Sequence, residues 1–128
     1  MNSINDLATL TPDLSAISIL SKKYGLVGFY IYTLESNING RDASTRMFAP
    51  FYGITEEAAT GMAAGPLACY LYDYMDINKK AILIEQGYAM TPASPSCIEV
   101  VLEIENNTIT SLKAGGVGKP SRHLEVEI

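Results

Sequence analysis

The feature that most limits how this chain can fold is an uncharged run from Ala58 to Tyr72, whose residues Ala59, Met62, Ala63, Ala64, Leu67 and Ala68 are small or apolar. A surface helix carries one apolar stripe, whereas a helix that is apolar on every side has to be covered on every side. The run starts near Gly61 and reads as a helix to about Met75. It is too short for a bilayer and is broken by Gly61, Gly65 and Pro66. Protein must therefore cover it, and the only abundant material is strand. The fold expected is α+β: a curled, mainly antiparallel sheet wrapped around this central buried helix.

The flanking segments supply that sheet. Leu26 to Leu34 is rich in β-branched and aromatic residues, and Ala43 to Phe48 returns beside it after the turn residues Asn37-Ile38-Asn39-Gly40. Ala81 to Glu85 reads as a further strand, and a loop with Pro92 and Pro95 follows. Cys97 to Glu105 and Thr108 to Lys113 read as a hairpin closed by Asn106-Asn107 with type I′ chemistry. The alternation from His123 to Ile128 reads as a half-buried strand. Before all of these comes an amphipathic helix. Thr11 is its expected cap, Pro12 its first residue and Gly25 its stop, with Leu14, Ile17, Leu20 and Tyr24 as the apolar stripe.

At 128 residues the chain is one domain's worth. Its charged fraction of 18% is low for a lone soluble domain, where about 25% is usual, which points to a surface covered by a partner. Nine Lys+Arg against fourteen Asp+Glu, a net charge of −5, makes nucleic acid an unsuitable target. Cys69 and Cys97 are too few for a disulfide framework and lack metal-ligand spacing. Met1 to Asp6 has no basic region followed by an apolar core. The expectation is a cytoplasmic protein with reduced thiols, no membrane association and no metal.

Chemistry has one natural place, the start of the central helix. The first turn of a helix presents unpaired N–H groups and the positive end of its dipole, and small residues let an anion reach them. Glu56 and Glu57 lie just before it. They can serve as general acid or base, or they can be ordinary acids favouring the dipole while the glycines only permit packing. Cys69 reads as a small core residue, and Cys97 has no evident base beside it. His123, the single histidine, reads as a packing or surface residue, and Tyr70, Tyr72 and Tyr74 as core and interface filling.

Two stretches, Arg46-Met47-Phe48-Ala49-Pro50 and Gly53-Ile54-Thr55-Glu56-Glu57-Ala58-Ala59-Thr60-Gly61-Met62-Ala63-Ala64-Gly65-Pro66-Leu67-Ala68, resemble the signature of phenazine-biosynthesis-like (PhzF-like) isomerases. That signature reads R-x-F-A-P, then G-I-x-E-D-P-A-T-G-S-A-x-G-P-L-A. Gln86-Gly87, Pro95-Ser96 and Gly115-Gly116 follow in the family's order. The resemblance implies the diaminopimelate-epimerase-like fold, in which two lobes, each a curled sheet around a helix, face each other across a cleft. It also implies proton transfer on a small carboxylic acid without metal or organic cofactor.

The resemblance extends to the second, C-terminal lobe, so residues 1–128 are expected to form one such lobe. A first lobe would come from a separately encoded chain, or a second copy would complete a homodimer. Carried over residue by residue, it places Glu57 at the family's cleft aspartate as the catalytic candidate. Thr60, Gly61, Met62 and Ala63 become substrate-binding candidates through their N–H groups. Glu for Asp lengthens the arm, Met62 replaces a serine that contacts substrate, Ala58 replaces a loop proline, and Ser94 stands where arginine is usual. The alternative is a self-associating remnant without activity, or a small-acid binding protein.

Overall fold

A computed structural model of the chain describes residues 1–118 and 124–126. Ten short elements follow one another: helices α1 (Ile4–Thr9) and α2 (Leu14–Tyr24), strands β1 (Phe29–Thr33) and β2 (Ala43–Ala49), a 3-10 turn (Pro50–Tyr52), β3 (Ile54–Glu57), helix α3 (Gly61–Tyr74), then β4 (Ala81–Gln86), β5 (Ser96–Glu105) and β6 (Thr108–Gly115). The strands form one curled sheet in the order β1-β2-β4-β5-β6, with β3 paired to β2. Every pairing is antiparallel except β2 with β4. Helix α3 intervenes between these two in sequence, as a parallel connection requires.

Helix α3 lies in the concave side of the sheet. Ala64, Ala68 and Leu71 on its inner face meet Ile82, Ile84, Ile98, Val100 and Leu102, all buried. Gly65 faces Leu112 so closely that a Cβ there would stand 3.1 Å from Leu112 Cδ1. Small residues thus bring helix and sheet together, as the sequence suggests. The cover is not complete, however. Met62, Pro66, Tyr70 and Tyr74 form an exposed stripe at four-residue spacing along the opposite side of α3. Tyr70 and Tyr74 stack with ring centroids 5.3 Å apart, and Tyr32 of β1 meets Tyr70 edge-on. The expectation of a helix buried all round is therefore corrected: the half-barrel closes on one side only.

The amphipathic helix α2 also differs from expectation. Its cap is Asp13, whose side chain accepts from Ala16 N, and Thr11 lies outside it. An Asp carboxylate beside the first N–H groups satisfies them directly and complements the dipole. Gly25 ends the helix in the left-handed conformation as expected. The inward face carries Leu14, Ile17 and the fully buried Ser21, while Leu20 and Tyr24 turn to solvent. The hairpin between β5 and β6 turns on Asn106 and Asn107, both at positive φ, which is the type I′ geometry. Half of the expected strand from His123 to Ile128 lies outside the described residues, and His123 itself is among those not described. Leu124, Glu125 and Val126 are exposed and outside any strand. No described helix is long and apolar enough to cross a membrane.

Two buried polar side chains, Arg46 and Glu85, tie the remaining pieces to the sheet. Arg46 of β2 forms a bidentate pair with Glu56 of β3, Nε to Oε1 and Nη2 to Oε2, both at 2.8 Å. Its Nη1 donates to the carbonyls of Leu7 and Leu10 at the end of α1, and its guanidinium lies over the Phe48 ring. Glu85 of β4 is fully buried and accepts from the N–H groups of Asn37 and Ile38, from Asn37 Nδ2 and from Ser44 Oγ. It thereby holds the connection between β1 and β2. Removing one partner of a buried ion pair leaves the other uncompensated, at a cost of about 3–5 kcal/mol. Arg46→Met should lower the unfolding free energy by roughly that amount in urea titration. It should also speed amide exchange in α1, the element whose carbonyls Arg46 holds.

Candidate functional site

Strand β3 carries two adjacent acids and sends them to opposite sides. Glu56 turns to Arg46, as described. Glu57 lines a cavity of about 490 Å³ at the start of α3, together with Met47, Ala49 and Ile54. This grouping depends on an irregularity in the β2–β3 pairing. Met47 stands opposite Glu57, but Ala49 stands opposite Ile54, so β3 spends one more residue than β2 over the same stretch. In a regular strand Ile54 and Glu57, three apart, would face opposite sides. The bulge puts both on the cavity side, the kind of re-aiming that such bulges perform.

The cavity is lined by all five residues singled out from the sequence: Glu57, Thr60, Gly61, Met62 and Ala63. Thr60 is the N-cap residue of α3, but its hydroxyl caps nothing. It donates instead to Glu57 Oε2 at 2.6 Å. The four N–H groups from Thr60 to Ala63 are not equivalent. Thr60 N donates to Gln86 Oε1 at 3.1 Å, and Ala63 N to Thr60 O at 3.2 Å. Among the described residues nothing accepts from Gly61 N or Met62 N, and nothing donates to Glu57 Oε1. Two helix-start donors and one carboxylate oxygen are thus available to a ligand. The Met62 side chain is 77% exposed at the mouth and offers no polar atom to the cavity.

Sequence reasoning missed the groups behind this site. Gln86, at the end of β4 and almost fully buried, donates through Nε2 to Glu57 O (2.6 Å) and Thr60 Oγ1 (2.9 Å). Its Oε1 accepts from Thr60 N and from Tyr30 OH (3.0 Å). Ser96 Oγ donates to the Ala58 carbonyl at 2.6 Å, so β5 also holds the segment before α3. Next to Gln86, Gly87 has φ +82°, and a Cβ there would fall 2.0 Å from Ser94 O. A glutamine closing the apolar strand Ala81-Ile82-Leu83-Ile84 was the available signal. Such an amide deep in a sheet needs four partners, and the helix start supplies most of them.

A larger hollow of about 1010 Å³ lies along β4–β6, lined between Arg41 and Gly118, and borders the first at Ala59 and Gly61. It does not include Glu57. Cys97 lies in that hollow, where burial first and Glu85 and Glu99 besides raise its thiol above the ordinary range against the lowering effect of Arg41. Burial, with Asp73 nearby, does the same for Cys69. Both thiols are free, and in neither do the surroundings lower the thiol on balance, as those of a reactive cysteine do. Among the described residues no three His, Cys, Asp or Glu side chains come together as a metal set.

The Tyr30 phenol behind Gln86 is pushed up to about 12 from the ordinary 10.0, by burial first and by the Glu57 charge as well, against the lowering effect of Thr45. A raised phenol favours the fold while it stays neutral. Its contribution is fully present below pH 10 and is lost as pH rises from 10 towards 12, because the unfolded chain ionises first. A shift of about two units corresponds to roughly 2.7 kcal/mol. Urea unfolding followed between pH 9 and pH 12 should show a fall of at least that size in the native chain, since Tyr32 and Tyr88 are raised in the same direction. In Tyr30→Phe the fall should be shallower by the same amount.

With this geometry in view, the comparisons with known proteins are consistent. Residues 1–121 match the family described as "Phenazine biosynthesis-like protein". The chain is 32% identical over 124 residues to an uncharacterized isomerase, YddE, of Escherichia coli K12, covering 94% of this chain and 40% of that protein. It is 55% identical over 80 residues to the trans-2,3-dihydro-3-hydroxyanthranilate isomerase of Pseudomonas aeruginosa, covering 62% of this chain and 28% of that one. The fold matches a crystal structure of a PhzF-family phenazine biosynthesis protein of Bacillus anthracis with TM-score 0.65 and 17% identity, over 87% of this chain and 38% of that one. The chain spans about two-fifths of the length of E. coli YddE, the first of these relatives. On the extent of the family match, together with the agreement in fold, this chain belongs to the phenazine-biosynthesis-like (PhzF-like) protein family.

Proposed function

We propose that this chain is the second lobe of a PhzF-like isomerase, catalysing cofactor-independent proton transfer on a small carboxylic acid in the cytoplasm once another chain closes the cleft. The observation that carries the reading is the convergence of Glu57 Oε1 and the free N–H groups of Gly61 and Met62 on one cavity. In this reading the two N–H groups, at the positive end of the α3 dipole, hold the substrate carboxylate. Glu57 exchanges a proton with a carbon of the same molecule, as general acid or base. Thr60 and Ala63 contribute walls, since their own N–H groups are engaged.

The need for a second chain is supported by the cavity mouth. Leu26, Val27, Ile54 and Met62 surround it and are all exposed, and Tyr24, Phe51 and Tyr52 extend the apolar surface along α2 and the 3-10 turn. Contiguous apolar surface of this kind marks an interaction site. The completing chain is either a separately encoded first lobe or a second copy. A second reading, a lobe that binds an acid or self-associates without turnover, draws support from Met62, which leaves the cavity one hydroxyl poorer than the family pattern.

Three measurements test the proposal. Titrating benzoate into the ¹⁵N-labelled protein should shift the Gly61 and Met62 amides saturably, and an unchanged spectrum counts against the site. Sedimentation should show a dimer, or a heteromer when a first lobe encoded in a neighbouring frame is co-expressed; a persistent monomer removes the completion model. Deuterium incorporation from D₂O into small carboxylic acids by the completed assembly should fall by about 10²–10⁴ in Glu57→Gln. Equal rates would take Glu57 out of the reaction and favour the binding-only reading.

A further inference from the structure

Gln86 does not itself line the cavity, yet the surroundings of its amide allow it a single orientation. A backbone N–H can only donate and a backbone carbonyl can only accept. Thr60 N lies 3.1 Å from one end of the amide, so that end is the oxygen; Glu57 O lies 2.6 Å from the other, so that end is the NH₂. Thr60 Oγ1, 2.9 Å from the NH₂ end, must therefore accept there. A hydroxyl has one proton, and Thr60 directs it to Glu57 Oε2 at 2.6 Å. The order of donors from Gln86 through Thr60 to Glu57 follows from the two backbone groups, without any hydrogen having been located.

We propose that Gln86 is a positioning residue that fixes Thr60 and Glu57 as one polarised unit, committing Glu57 Oε2 to Thr60 and leaving Oε1 as the single proton-exchanging atom offered to the cavity. The inference rests on the functional reading above for its catalytic consequence. Its structural content stands independently of that reading. Tyr30, kept as a neutral donor by burial, supports the same orientation by donating to Gln86 Oε1. Every hydrogen-bonding position of the Gln86 amide is then used, so the side chain has no alternative pose of equal energy. The unit also explains why the N-cap hydroxyl of α3 does not cap its own helix, the ordinary duty of a threonine in that place.

The first test needs neither ligand nor turnover. Three-bond couplings from the Thr60 methyl to its backbone N and C′ report χ1. They should give one rotamer in the native protein and averaged values in Gln86→Leu, with the amide spectrum of β4, β5 and β6 otherwise retained. A single Thr60 rotamer in Gln86→Leu, or averaging already present in the native protein, overturns the proposal. Should Gln86→Leu fail to fold, Gln86→Glu serves. It keeps an acceptor for Thr60 N and Tyr30 OH but replaces the NH₂ with an oxygen, so the Thr60 proton should leave Glu57. Benzoate affinity should then fall by about tenfold or more, and unchanged affinity overturns the proposal. In the completed assembly Gln86→Glu should lower kcat far more than it raises KM. Equal effects on both would assign Gln86 to binding alone and overturn it. If benzoate fails to bind the native protein while the Thr60 couplings behave as expected, the functional reading falls and the Gln86 unit remains.

Discussion

The structure depends on how closely α3 approaches the sheet. Ala64, Gly65 and Ala68 leave little side-chain bulk on the first half of the helix face that meets the sheet, and Leu71 fills the space farther along. Helix and sheet therefore pack almost backbone to strand, and the start of α3 is brought level with the ends of β4 and β5. Gln86 and Ser96 can reach the segment from Glu57 to Thr60 for that reason alone. A helix held off by a single larger side chain at Gly65, where Leu112 is already in contact, would lift its first turn away from these side chains. Tight packing of this kind transmits small displacements because there is no void to absorb them. The candidate site is thus a product of core packing as much as of its own residues.

Much of this was legible in the sequence. The apolar run from Ala58, the Asn106-Asn107 turn and the Gly25 stop each have a local physical cause, and the structure shows each in place. Strand β3 was not legible, being four residues long with two acids that argue against a strand, and existing because β2 pairs with it. The face of α2 was misjudged for a related reason. Its apolar residues cover more than one side, and the side that packs holds a serine, Ser21, whose buried hydroxyl has no partner among the described residues. Sequence spacing cannot state which of two apolar sides the tertiary contacts will select. The exposed stripe of Met62, Pro66, Tyr70 and Tyr74 escaped notice in the same way, because apolar composition says that a helix wants cover and not whether this chain supplies it.

The site residues were legible by type and not by role. Glu56 and Glu57 were weighed together as acids near a helix start, and the structure divides them: one balances a buried guanidinium, the other lines the cavity. Gln86 was visible as part of a motif, but its four partners come from β1, the β3–α3 segment and the N-cap of α3, and no local pattern joins these. Long-range hydrogen bonds of buried polar groups are settled by the fold as a whole. They are therefore the last thing a linear reading can find.

The bulge in β3 has a consequence for how the sequence can change. Because one extra residue stands between the Ile54 and Glu57 positions, their spacing is odd while their orientation is shared. Deleting a residue from this strand would restore regular alternation and make the chain's local hydrogen bonding more ordinary. Ile54 and Glu57 would then stand two apart and would still share the cavity face. Straightening the strand at its present length is what would part the apolar wall from the carboxylate, because residues three apart in a regular strand face opposite sides. Residue count and bulge are thus tied together: chains of this length need the bulge to keep the grouping, whereas chains with one residue fewer between Ile54 and Glu57 should reach it through an unbulged strand.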